Sequence, residues 1–384
     1  MFVDKDTTKK ALKLTFGRDY FHWRRFAFQA TFAPLFGAIL SFDKLGRKLD
    51  DKRHPEYQDA DISAPIFIMA APRSGTTLLH RLMSLDDQFT YYTLWQTLFP
   101  TLTAYKAAEL LKTLDDRTGN ILDRIQEGLA KHWFRGWEGI HETRFDHAEE
   151  DEGTFFLQFA TPSVWLVWPF VKELSNVAFI DRSAQRADYA EVFRGTLQRH
   201  MWYEQQKHGK KTFLAKNVFL AGRLGIVTDV APDARFVNIV RHPYRTVGSL
   251  MSFFTVPWRY HSPDIKMDGP QSKAFAEVSM EYARTVHRFM QTLPPERGIT
   301  IFYKDLIENP EREILKIYDR FGLEASDEFK QKLHAAVTDH KTYASSHSYK
   351  LEDFGLTEDY IYEELKEIFE AHNLPRHPDP DAVI

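Results

Sequence analysis

Apolar positions along the chain fall into two rhythms. A continuous apolar run occurs at Pro65 to Ala70, and short, mostly apolar strand-like runs occur at Thr212 to Ala215, Arg235 to Val240 and Ile299 to Tyr303. Their length and composition are those of strands buried on both faces. Between them lie segments with apolar residues at helical spacing: Leu78, Leu79, Leu82 and Met83, then Asp188 to His208, Ala221 to Val230, Arg245 to Phe253 and Phe275 to Gln291. Strands alternating with helices predict an α/β fold, a doubly wound parallel sheet flanked by helices on both faces. Ligands of such sheets sit beyond the carboxyl ends of the strands. Those ends carry Arg73, Lys216, Arg241 and Lys304, the basic groups that a polyanionic ligand requires.

Three stretches break this rhythm. Leu94 to Ala130 is periodic in Leu, Ala and Ile and predicts two helices separated near Asp115 to Asn120. His132 to Glu152 is polar and rich in titratable groups, and the aromatic run Phe155 to Val171 predicts a helix interrupted near Pro162. Residues 1–60 form a helical appendage. Within it, Phe21 to Leu40 is apolar nearly all round, with Arg24 and Arg25 near its start and Lys44, Arg47 and Lys48 after it. Gln29 and Pro34 make it too short and interrupted for a spanning helix, and it is too far from Met1 for a secretory signal. Two readings stand: an aromatic face with basic flanks lying in a membrane interface, or a helix packing on the domain's own core. No Gly/Ser/Pro-rich linker divides the remainder of the chain. Residues 61–384 are therefore expected to be a single domain with helical insertions at about 94–208.

Composition narrows the classes. The chain of 384 residues is 43% hydrophobic and 27% charged, as soluble globular proteins are. Its net charge of −4 excludes a generally basic nucleic-acid binder but not a local basic pocket. Cysteine is absent, so disulfides, thiolate metal sites and a cysteine nucleophile are impossible. That suits a reducing cytoplasm, at the inner face of a membrane if residues 21–40 lie in the interface.

The candidate chemistry centres on Pro65 to Leu79, an apolar run, a small polar loop and a helix start. A strand passing through a Gly-containing loop into a helix gathers backbone N–H groups at a positive helix terminus, a ready anion site. Gly75 allows close backbone approach, Ser74, Thr76 and Thr77 add hydroxyls, and Arg73 adds a bidentate charge. A nucleoside triphosphate P-loop would follow G-x-x-x-x-G-K-[ST]. Ala70 stands at the first glycine of that pattern and Thr76 at its lysine, so the phosphate cradle remains without the triphosphate apparatus.

The segment P-R-S-G-T-T resembles the 5′-phosphosulfate loop of the sulfotransferases, in the large bacterial-type branch where arginine replaces lysine. The resemblance implies a P-loop-like fold and 3′-phosphoadenosine 5′-phosphosulfate (PAPS) as co-substrate, without a metal. Arg73, Ser74, Gly75, Thr76 and Thr77 would hold the 5′-phosphosulfate. Arg241 is followed eight positions later by Ser249, the spacing with which the family holds the 3′-phosphate of the donor. Leu214-Ala215-Lys216 resembles the segment whose lysine faces the transferring sulfuryl group, although Asn217-Val218 replaces the usual Ser-Pro. Tyr303-Lys304-Asp305-Leu306 and the stretch His347 to Leu356 resemble the C-terminal signatures of the branch, which assign Tyr303, Tyr349 and Lys350 to the nucleotide.

A hydroxyl acceptor also needs a general base within hydrogen-bond reach. Members of the branch often carry a Trp-Glu pair after the loop helix, but here it is Trp95-Gln96, and glutamine takes no proton. The polar insertion supplies the alternatives: His141 first, Glu150 second, with Lys216 and Arg73 stabilising charge in the transition state. A run of acids equally suits the dipole of the helix that follows it, and that bland reading stands beside the catalytic one. The expected reaction is sulfuryl transfer from PAPS to a hydroxyl or amine of a small-molecule, lipid or glycan acceptor. An atypical P-loop kinase and an inactive, membrane-associated nucleotide-binding protein are the alternatives.

Overall fold

The computed structural model describes residues 2–71, 74–118, 148–340 and 350–378. Strands β1 (Ile66–Ala70), β2 (Phe89–Thr90), β3 (Thr212–Lys216), β4 (Arg235–Val240) and β5 (Gly298–Phe302) form a parallel sheet in the order β2-β3-β1-β4-β5. In the centre, Ile66 is in register with Leu214 of β3 and Arg235 of β4. The chain runs from β1 through β2 to β3, then crosses to β4 on the other side of β1. The order reverses at β1, and the cleft beyond such a reversal is where doubly wound sheets bind ligands.

Period-two alternation distributes each strand between two cores. Ile66, Ile68, Ala70, Leu214, Val237 and Ile239 face one apolar cluster, whereas Phe67, Met69, Phe213, Ala215 and Phe236 face the other. The first N-terminal helices are α1 (Lys5–Phe16) and α2 (Trp23–Arg53). The loop helix is α3 (Thr76–Met83), followed by α4 (Leu94–Leu98), α5 (Leu102–Thr118), α6 (Glu152–Phe156), α7 (Arg186–His208) and α8 (Leu224–Val230). Then come α9 (Pro243–His261), α10 (Pro270–Thr292), α11 (Tyr303–Glu308), α12 (Pro310–Phe321), α13 (Asp327–His340) and α14 (Glu358–Ala371). Helices α3, α12 and α13 cover the first cluster, and α7, α9, α10 and α14 contribute to the second. Ala11, Leu14 and Phe36 of the two N-terminal helices join that second cluster too.

Several local expectations are corrected by long-range packing. Pro34 does not interrupt the N-terminal helix, which continues for 31 residues. Its missing N–H bond is compensated by aromatic contacts before and after it in the helix. The Phe36 ring lies 5.4 Å from Phe156 and 5.1 Å from Phe159, and Phe28 stacks on His261 at 4.6 Å. A further break, between α4 and α5, falls at Phe99 to Thr101; α5 itself ends at Thr118, and the remainder of the break expected near Asp115 to Asn120 lies outside the described residues. Pro100 disfavours helix at Phe99, and Thr101 caps the new start by accepting from Ala104 N at 3.2 Å. The aromatic run 155–171 is mostly irregular, with a 3₁₀ turn at Pro162–Leu166. Phe159 adopts φ 57°, a left-handed conformation that ends α6, and its ring packs against Phe36 and Trp168. Helix α9 continues past Phe253 through Pro257 to His261.

Asp50 ties three of these helices together. Fully buried near the end of α2, it accepts from Leu102 N (2.8 Å), Thr103 N (2.9 Å) and Thr103 Oγ1 (2.7 Å), and from Arg199 Nε of α7 (3.2 Å). It thereby caps α5 and neutralises a buried guanidinium. Asp50→Ala is expected to destabilise the fold by about 2–4 kcal/mol, because it leaves the α5 amides unpaired and takes from buried Arg199 one of its two carboxylate partners, Asp51 remaining. Urea unfolding of the two proteins measures this; a loss under about 1 kcal/mol would show that the pair behaves as an exposed one.

Candidate active site

The loop after β1 turns into α3 through a backbone that only glycine adopts easily. Gly75, the residue before the first helical turn, has φ 82°. A Cβ there would lie 2.9 Å from Cδ2 of Tyr303, so the aromatic ring rests directly on the loop. Ser74 is buried and donates through Oγ to Ala71 O at 2.7 Å, tightening the turn. Thr76 and Thr77 open α3, whose first amides have no partner within the helix. This cradle fits a phosphate group: a close backbone approach, N–H groups without partners inside the helix, and two hydroxyls. Pro72 and Arg73, the central residues of the loop, lie outside the described residues.

Lys216, the last residue of β3, reaches this loop from the neighbouring strand. Its side chain is 1% exposed, donates to Thr77 Oγ1 at 3.0 Å and pairs with Glu150 Oε1 at 3.0 Å. It is therefore not a surface lysine with its stem laid along apolar residues. Glu150 belongs to a run of four acids, and the run does not act as one group at a helix terminus. Asp151 precedes α6 but makes no side-chain cap bond to it. Asp151 and Glu152 instead turn inward, where Asn217 Nδ2 donates to both and Arg223 Nη2 pairs with Glu152 at 3.0 Å. Glu149 is nearly buried, and its backbone N–H donates to Tyr92 O at 2.8 Å.

On the other side of β1, Arg241 follows β4 and its guanidinium lies 4.0 Å from the ring centre of Tyr303. The Tyr303 ring thus meets both Gly75 and Arg241, bringing the ends of β1, β4 and β5 together. Ser249 is half-buried in α9, on the helix that β4 leads into. His242 points elsewhere, its Nε2 at 2.8 Å from Pro375 O. Lys304 departs from the expectation that every strand end faces the site: its side chain is 64% exposed and pairs with Glu308 at 3.9 Å. Lys304 opens α11 just after Tyr303, and that helical turn swings it outward. Lys350 is exposed, immediately before a 3₁₀ turn at Leu351–Phe354. His141 and Tyr349 lie outside the described residues. Among those described, no group of three or more His, Asp or Glu is placed to hold a metal ion.

Gln96 has a structural task. It forms a capping box with Thr93, its Oε1 accepting from Thr93 N at 2.9 Å, while its Nε2 donates to Glu204 Oε1 at 3.4 Å. Two residues that no sequence pattern singles out matter more. Asn217 is fully buried, and Arg223 is 1% exposed with its guanidinium 4.0 Å from the Phe155 ring centre. Four consecutive acids signal that buried cations are needed somewhere. Nothing local reveals that Arg223, far along the chain, supplies one.

Burial dominates the acids' titration. It pushes Glu149 up to about 6, against the opposing pull of Lys216, and Asp151 up to about 6 and Glu152 up to about 7, against Arg223. A carboxyl with a raised pKa binds its proton more tightly when folded, so its contribution to stability rises as pH falls from above 7 towards the unfolded value near 4.5. Glu149→Gln, neutral at every pH, should remove part of that slope and raise stability at pH 8 by roughly 1–2 kcal/mol relative to the parent. Urea unfolding at pH 8 and pH 5 checks it; parallel pH profiles for the two proteins would mean that Glu149 titrates normally.

Three comparisons bear on identity. Residues 65–327 match the model of the sulfotransferase family. Over 334 residues the chain is 26% identical to the omega-hydroxy-beta-dihydromenaquinone-9 sulfotransferase Stf3 of Mycobacterium bovis, covering 82% of this chain and 77% of that protein. The fold is similar to crystal structures of sulfotransferase STF1 from Mycobacterium tuberculosis (TM-score 0.71, 19% identity, 94% of this chain and 91% of that one) and sulfotransferase STF9 from Mycobacterium avium (TM-score 0.69, 20% identity, 85% and 81%). With the matched segment running from β1 and its phosphate cradle through Lys216, Arg241 and Tyr303, the chain belongs to the sulfotransferase family.

Proposed function

We propose that the protein transfers a sulfuryl group from PAPS to a hydroxyl on an apolar, lipid-like acceptor. The observation that carries this reading is the placement of Lys216 between Thr77 of the loop and Glu150, at 3.0 Å from each. A cation for the leaving phosphate and a carboxylate for the acceptor are then adjacent. Bound PAPS would supply a sulfuryl group on a phosphate leaving group, which needs charge neutralisation rather than further activation.

The residues of this chain divide the work. The α3 amides, Ser74, Gly75, Thr76, Thr77 and Arg73 would hold the 5′-phosphosulfate, and Arg241 with Ser249 the 3′-phosphate. Tyr303 packs between the two subsites, and Tyr349 and Lys350 would close over the nucleotide. Lys216 and Arg73 stabilise the charge that develops on the bridging oxygen. Glu150 takes the acceptor proton: it is the candidate carboxylate in contact with the loop lysine, whereas Gln96 is committed to capping α4. The lipid-like acceptor is supported by the name of the Stf3 relative, a menaquinone sulfotransferase.

Thermal-shift measurements with adenosine 3′,5′-bisphosphate, ATP and GTP separate this reading from a P-loop kinase. Stabilisation is expected from the bisphosphate; a response to ATP alone would sink the proposal. Labelled PAPS offered with lipid, glycan and peptide fractions of a lysate should mark the lipid fraction, and label in peptides alone would refute the acceptor class.

Two substitutions test the roles. Arg241→Ala should reduce the preference for the bisphosphate over its 3′-dephosphorylated form by roughly tenfold to a hundredfold, from lost charge-assisted bonds. Titration calorimetry gives both affinities, and an unchanged ratio places the 3′-phosphate elsewhere. Glu150→Gln should lower turnover by about 10²-fold while bisphosphate affinity changes little. If Glu150→Gln stays active and His141→Ala is inert, the base is the histidine.

A further inference from the structure

Helix α2 is apolar on both faces, and only one of them is used. Its inner face is fixed to the domain by Phe28, Phe36 and Gln29, whose Nε2 donates to Val167 O at 3.2 Å, and by Arg25, which pairs with Asp264 at 3.0 Å. By length and composition this helix is apolar enough to cross a membrane, yet these inner-face contacts lay it along the domain. Only 17% of its most apolar 18-residue window is buried. From Phe26 to Phe42 the sequence holds no charged residue. Phe26, Ala30, Ala33, Leu35, Ala38 and Phe42 are all exposed along roughly 24 Å of helix. Aromatic residues extend this surface at its amino end, where Phe16 is 65% and Trp23 63% exposed and the Phe26 ring lies 5.9 Å from both Phe16 and Phe21. A surface helix of a globular protein ordinarily turns polar residues outward.

Charge selects the occupant. Residues 1–53 carry 12 Lys and Arg against 6 Asp, in a chain whose net charge is −4. Arg24 precedes the uncharged stretch, Lys44 and Lys48 follow it, and all three are exposed. Between α1 and α2 opens a cleft of about 520 Å³, lined by Val3, Thr8, Leu40 and the lysines Lys5, Lys9 and Lys44. None of these three lysines pairs with a carboxylate among the described residues. Three such ammonium groups around an apolar floor, opening beside an exposed apolar helix face, match an anionic lipid headgroup with its chains alongside. A second copy of this chain would bring the same positive charge against it.

We infer that the outer face of α2, with the lysine cleft between α1 and α2, docks on the surface of a bilayer containing anionic phospholipid. The helix lies in the plane of the interface, its apolar residues entering the acyl boundary, Trp23 at headgroup level and the lysines on the phosphates. This goes beyond the proposed reaction and is independent of it.

Vesicle flotation with the full chain tests the inference, using phosphatidylcholine alone or mixed with phosphatidylglycerol. Binding is expected to the mixed vesicles and to weaken with salt. Leu35→Glu combined with Phe42→Glu should reduce partitioning at least tenfold. Lys5→Gln, Lys9→Gln and Lys44→Gln together should cost about fivefold per lysine on mixed vesicles only. Leu315→Glu, on α12 against the opposite face of the sheet, should change nothing. A circular-dichroism spectrum and melting temperature unaltered from the parent show that each variant is folded. Absent binding by the parent, binding undiminished in the Leu35/Phe42 double variant, or a dimer in solution that this variant dissolves would each overturn the inference. None of those results touches sulfuryl transfer, which the donor measurements judge separately.

Discussion

A lysine ammonium removed from water needs opposite charge and acceptors within reach, or it gives up its proton. Lys216 meets that demand at the carboxyl end of β3, with Glu150 and Thr77 at 3.0 Å each. The pair binds three separate parts of the chain at one point: the start of α3, the end of β3 and the segment before α6. The rest of the site is built outward from it. Gly75 takes its left-handed turn against Tyr303, and the same ring carries the Arg241 guanidinium. Each contact is short because the sheet order reverses at β1, placing β3 and β4 on either side of the loop.

The four acids at 149–152 show how one sequence pattern is divided into different tasks by burial. Glu150 alone turns to the lysine. Asp151 and Glu152 enter a buried network with Asn217 and Arg223, and Glu149 lies against the strand end at Tyr92. Replacing any one member of such a network leaves a buried charge uncompensated, a larger loss than the net value of the pair. These inner contacts hold the backbone on which Glu150 is presented, so the position of the candidate base depends on groups that never meet a ligand.

The N-terminal helices share the core of the α/β sheet, through Ala11, Leu14 and Phe36, yet expose more apolar surface than that packing requires. Asp50 and Arg25, both buried, fix α2 at its two ends by ion pairs. Its orientation is therefore set, and its uncharged outer face is presented in one direction.

What the sequence alone determined was local. Short, mostly apolar runs specify the strands, because the inner strands of a parallel sheet are buried on both faces, and the four longer strands lie where those runs are, the half-exposed edge strand β5 included. The two-residue β2 has too few residues to form a pattern. The cradle was legible because glycine, hydroxyls and a strand–helix junction are neighbours in the chain, and the spacing of Arg241 and Ser249 because one strand and one helix carry both. Tertiary structure decided the rest. Lys216 meets Glu150, and Arg223 meets Glu152, across long stretches of chain that leave no periodic trace. Gln96 is a cap only because Thr93 and Glu204 are where they are. Helix α2 runs through Pro34, and Phe159 accepts a left-handed backbone, because aromatic packing between distant segments outweighs the local cost of each.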